Sequence, residues 1–281
     1  MFFLPVGRGW RGPQIVLALL VSLAFSVTAD EGAQEKQRLK WMRDAVDKLE
    51  PESLELKTKE SLTFAAKPLL RYSDPTRGLQ GGTVLLDGSV WRLGIQGRPT
   101  ALVTIEIYEV SEAPGVLSYE FLSLTGAKFS VKHKEEKILW EPTESGLTLK
   151  ELPDGPKPAS TASARLVQMR KLARRFTVKE QFHGKEIECR LLTQPIDRYQ
   201  AEADKIVDGA ILVYVNSTNP EVGVVIETDG NHWFYGTLRL TASEAAVALG
   251  DRQVAGYEDL TAGGTSQSYH NGSHGFFDRD K

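Results

Sequence analysis

R-L-K-W-M-R at residues 38–43 returns 127 positions later as R-L-V-Q-M-R at 165–170, and P-L-L-R-Y at 68–72 returns at the same offset as P-I-D-R-Y at 195–199. Aligning 38–85 on 165–212 without a gap gives nine identities, Gly82 with Gly209 and Leu85 with Leu212 among them. Unrelated windows of that length share roughly three, so the clustering predicts that the chain carries one module twice. With shorter loops in the second copy the match continues. Pro99 and Ile105-Glu106 reappear as Pro220 and Ile226-Glu227, and Leu124-Thr125 with Val131 as Leu240-Thr241 with Val247.

In each copy a helix comes first. Leu39, Met42, Val46 and Leu49 recur at helical spacing before Pro51, and Leu166, Met169, Leu172 and Phe176 do so after S-T-A-S at 160–163. The period then changes to two. Ala101, Val103, Ile105 and Ile107 alternate with Leu102, Thr104, Glu106 and Tyr108, and Val222, Val224 and Ile226 with Gly223, Val225 and Glu227. Asp87-Gly88, Gly97-Arg98-Pro99, Asn219-Pro220 and Asp229-Gly230 read as turns, too short for parallel crossovers. The expected class is α+β: two tandem duplicated modules, each a helix packed on a curved antiparallel sheet, cystatin-like or nuclear-transport-factor-like by analogy. The modules are expected over 30–150 and 164–258, joined by a Pro-rich linker at 151–163 and followed by a disordered tail at 259–281.

Residues 1–29 hold two arginines, no acid, an apolar run from Ile15 to Val27 and small residues before Asp30. This pattern predicts a secretory signal peptide, hence an exported chain, periplasmic or extracellular after cleavage, with no transmembrane segment. Of the 34 basic and 37 acidic residues, the remainder keeps 32 and 37, which argues against nucleic acid as a partner. Cys189 is the only cysteine, so no internal disulfide can form, and its phase with Ile187 and Leu191 places it in the core; an activated thiol is the alternative.

The stretches R-L-V-Q-M-R-K-L-A-R-R-F at 165–176, E-C-R-L-L-T-Q-P-I-D-R-Y at 188–199 and D-G-A-I-L-V-Y-V at 208–215 resemble a family of uncharacterised exported proteins of planctomycete bacteria. The resemblance spans most of 40–258. It implies export and carries over no functional residue.

Features kept in both copies read as scaffold, because duplicated sites need not both stay functional. Arg71 with Glu106, and Arg198 with Glu227, are read as structural ion pairs with Tyr72 and Tyr199 alongside, the alternative being paired ligand-binding arginines. Glu106, Glu120, Asp197 and Glu227 could supply paired carboxylates for glycoside hydrolysis, but no spacing sets two of them opposite each other. His133, His183, His232, His270 and His274 lack metal-ligand spacing, and no phosphate loop or hydrolase elbow is present, so neither cofactor nor metal is expected. On the second helix Arg170, Lys171, Arg174 and Arg175 lie opposite Met169 and Leu172 with no acid between Arg165 and Phe176. They are candidate binding residues for an anionic envelope component or another exported protein, unless Glu180 or Glu186 neutralises them. Trp91 and Trp233 are candidate binding aromatics, read otherwise as core. The expected function is a non-enzymatic binding or structural protein of the bacterial envelope; the alternative is an extracytoplasmic hydrolase with its site in the crevice between the modules.

Overall fold

The structure, a computed structural model, describes residues 32–54, 62–79, 83–109, 115–134, 138–182, 184–260 and 263–277. The expected signal segment lies outside them. Two compact units are distinguished, Met1–Trp41 and Met42–Lys281. The backbone is helical over 32–47 (α1), its last six residues in the second unit.

In the first half of the second unit follow β1 (Leu49–Ser53), β2 (Leu70–Leu79), β3 (Thr83–Leu93), β4 (Ala101–Glu109), β5 (Gly115–Ser123), β6 (Phe129–His133), β7 (Ile138–Trp140) and β8 (Lys150–Glu151). Helix α2 (Ala162–Ala173) opens the second half. It starts where Thr161 accepts the Ala164 amide on its side chain. Then come β9 (Phe176–Phe182), β10 (Lys185–Glu188), β11 (Arg190–Leu191), β12 (Asp197–Ala201), β13 (Ile206–Asn216), β14 (Asn219–Thr228), β15 (Trp233–Arg239), β16 (Ala245–Leu249), β17 (Arg252–Tyr257) and β18 (Tyr269–Phe277).

Among the described residues the chain is therefore mostly β, with two helices and four antiparallel sheets, and the expected α+β class of two helix-on-sheet modules is overturned. The misreading has a physical cause. The alternation does not set one buried face against one solvated face here: the central strands are covered on both sides, and all ten residues of β14 are buried. Ala210, Leu212 and Tyr214 of β13 enter a core with Met169, Leu172 and Phe176. Ile211, Val213 and Val215, from the same strand, enter a second core with Leu102, Leu122, Leu238 and Leu240. That second core joins the sheet β18-β5-β4-β3-β2 to the sheet β11-β13-β14-β15-β8, so the two halves share it.

The outer strands are exchanged between halves. β8 follows β7 of the first half yet pairs with β15, while β18 follows β17 of the second half yet pairs with β5. The two arms meet where they cross: the Glu141 amide donates to Thr265 O, the Thr143 amide to Ser266 O, and the Trp140 indole to Gln267 O. The tail expected to be disordered is thus a strand over Tyr269–Phe277, with Tyr269 and His270 buried. Asp87-Gly88, expected as a turn, lies within β3 and pairs with Ile107 and Glu106 of β4. Pro51 sits inside β1, an edge strand, where its missing N–H costs no ladder bond.

Candidate functional site

The R-Y and D-G dipeptides build the same buried set in each half. Arg71 grips Asp87 through Nε at 2.9 Å and a second bond from Nη2. Arg198 grips Asp208 in the same two-pronged way, and Arg165 of α2 adds a third bond at 2.9 Å to this fully buried carboxylate. The expected arginine–glutamate pairs are therefore corrected: the partners of Arg71 and Arg198 are aspartates on the adjoining strand. Each glutamate takes the neighbouring tyrosine instead. Tyr72 donates to Glu106 at 2.8 Å, and Tyr199 to Glu227 at 2.7 Å. Burial, then the charge of the glutamate, raises both phenols well above their usual range, so they remain donors.

Glycine makes room for each tyrosine. A β-carbon on Gly88 would lie 2.4 Å from the Tyr72 ring, and one on Gly209 2.5 Å from the Tyr199 ring. Gly88 rather than Gly82 is thus the counterpart of Gly209. The ungapped match of 38–85 to 165–212 fails beyond the tyrosines, where the first hairpin is six residues longer.

The halves differ in what closes each glutamate. Glu227 receives the whole fork of Arg98, Nε to Oε1 and Nη2 to Oε2, both at 2.7 Å. Glu106 receives Tyr108 instead. Arg92 also crosses between halves, at 2.7 Å to Asp197, whose carboxyl burial raises against the opposing pull of that arginine.

The candidate binding residues fall in two places. Trp91 is buried, donating to Ser89 Oγ and lying under the Arg43 guanidinium. Trp233 is buried too, and its indole holds Pro156 O. It backs an open cleft of about 350 Å³ that also exposes Asp154, Asn231 and His232. On α2, Lys171 and Arg174 are exposed and Arg170 is half-buried, its Nε shielded with no acceptor among the described residues. Arg175 donates to Pro153 O. The acids expected to meet this face are otherwise engaged: Glu186 pairs with Lys179 at 2.6 Å and Glu180 accepts from Asn216. Cys189 is buried in the core beneath α2.

No cluster of metal-ligating side chains occurs among the described residues, and no helix among them is long and apolar enough to cross a membrane. Sequence reading missed Asp87, Asp208, Gly88 and Arg98; the signal for the first three was the repeated D-G dipeptide at an offset of 121. Compared with known proteins, the chain matches no family model, no curated protein and no solved structure, so its chemistry is read from its own residues.

Proposed function

We propose that this chain is an exported, non-enzymatic binding or structural protein of the bacterial envelope, of the kind seen in planctomycetes, that takes an anionic envelope component on the exposed face of α2. The observation that carries this reading is the uncompensated charge of that face. Lys171 and Arg174 form no ion pair among the described residues, and Arg170 Nε lacks an acceptor although it is shielded from water. Cations left without internal acids favour an anion from outside. Export rests on the character of residues 1–29. Descent of the two halves from one duplicated unit is part of the same proposal, supported by the matching arginine–aspartate and tyrosine–glutamate sets.

The test is retention of the full chain on immobilised dextran sulfate. Retention is expected to fall as salt screens the contact, and to fall again in the double variant Lys171→Gln/Arg174→Gln at constant salt. Retention that ignores both salt and the double substitution would overturn the reading.

A further inference from the structure

Both halves bury the same carboxylate in the same tyrosine setting, and among the described residues only one has its cation. Glu227 is closed by the Arg98 fork. Glu106, 5% exposed, accepts from Tyr72 and Tyr108 and forms no ion pair among the described residues. The position that corresponds to Arg98 is Asn219. Each precedes a proline, Pro99 or Pro220, and then a carbonyl with one shared role: Thr100 O accepts the Leu124 amide, and Glu221 O accepts the Leu240 amide. The loops before them reach across in matching fashion. Gly97 lies against Ala201, two residues beyond Tyr199, and the Thr218 hydroxyl bonds Ser73 O, next to Tyr72. Asn219, itself buried, thus begins the strand that faces Glu106, and it carries no charge.

Two further residues distinguish this setting. Thr104 pairs with Glu120 and Glu106 with Ser118 across β4 and β5. Glu120 therefore points to the same face as Glu106, one diagonal step away, with β-carbons roughly 7 Å apart. Tyr269, 6% exposed, pairs with Leu122 on that face. Its hydroxyl is shielded from water with no bond of ordinary length, and Glu120 acts on it both as a charge and as a hydrogen-bond acceptor, Glu106 more weakly as a charge. The other half has Gly236 with Leu147 packed on it along the corresponding arm. Arg239, whose guanidinium lies over Tyr269, is committed to Thr241 O and Ala242 O and stacks on Tyr257 as well.

We propose that Glu106, Glu120 and Tyr269 form a binding site for a small organic cation with a guanidinium head, which closes Glu106 as Arg98 closes Glu227. A planar fork matches a carboxylate with two parallel bonds, and the phenol oxygen of Tyr269, as an acceptor, takes a remaining N–H. Tyr108, Ser118 and Glu120 are only half-buried and form the entrance.

The test is calorimetric titration of the full chain with methylguanidinium chloride, using N-methylurea as the neutral isostere. Saturable one-to-one binding is expected for methylguanidinium, at least about tenfold tighter than for N-methylurea, as a charge-assisted pair requires. Asn219→Arg keeps Glu106 but supplies the fork from within; it is expected to abolish the binding and to raise Tm. Glu106→Gln, and Glu120→Gln at the half-exposed entrance, should each weaken binding about tenfold or more while near-ultraviolet dichroism stays native. Absence of saturable binding to the wild-type chain, or binding left within twofold by all three substitutions, overturns the proposal.

Discussion

At the scale of single residues, the fold turns on a glycine and an aspartate that sit side by side. Gly209 lets the Tyr199 ring lie across β13, so Gly209→Ala sets a methyl 2.5 Å from that ring. Overpacking of this kind costs about 1–3 kcal/mol. Gly126→Ala, where nothing lies within 4 Å, should cost almost nothing in the same denaturant titration. The tyrosines also set an alkaline limit. Tyr72, Tyr199 and Tyr269 ionise near pH 10 in an unfolded chain and well above it here, with burial the main cause. Above about pH 10 the unfolded state loses protons that the folded state keeps, so stability is full below that point and falls above it. The loss is about 1.4 kcal/mol per pH unit for each such group. Tm measured at pH 9 and pH 11 should drop sharply, and a flat profile would refute this burial. The arginines and tyrosines were legible because they share one offset. The aspartates and glycines that complete their set were not, because the six-residue difference between hairpins breaks the alignment just before them.

Among the elements, α2 shows how far periodicity reaches. Its apolar spacing located the helix and its buried Met169 and Leu172, and the Thr161 cap was announced by the S-T-A-S run. Met169→Ala should cost about 2–5 kcal/mol, since a fully buried side chain leaves a cavity. Lys171→Gln with Arg174→Gln should stay within about 1 kcal/mol, because exposed charges contribute little. Thermal unfolding of the two variants separates packing from surface charge; equal losses would contradict this division of faces. Strands were harder to read. Thr104, Glu106 and Glu227 look like solvent-facing positions, but they are buried between sheets, where tyrosine hydroxyls bond both glutamates and a guanidinium bonds Glu227. No local pattern reports that a second sheet will cover a polar face.

For the molecule as a whole, the decisive fact is non-local and left no mark in any one segment. The arm that leaves each half completes the other's sheet, and the arms bond to each other where they cross. Arg92 with Asp197 and Arg98 with Glu227 add buried ion pairs across the same boundary, and the shared core adds apolar area. Breaking a buried ion pair costs about 3–5 kcal/mol when one partner is removed, so the halves should hold together without the peptide bond that joins them. A protease site placed after exposed Lys157, cut in the folded full chain, tests this. Both pieces should elute together on native size exclusion and separate only in denaturant. The joint midpoint should become dependent on protein concentration, since cutting makes folding bimolecular. Elution as two separate species after cutting, with no denaturant, would show that the exchanged arms and the shared core are too weak to make the halves one folding unit. Arg98→Ala should lower that midpoint further, because it leaves Glu227 buried with a single tyrosine.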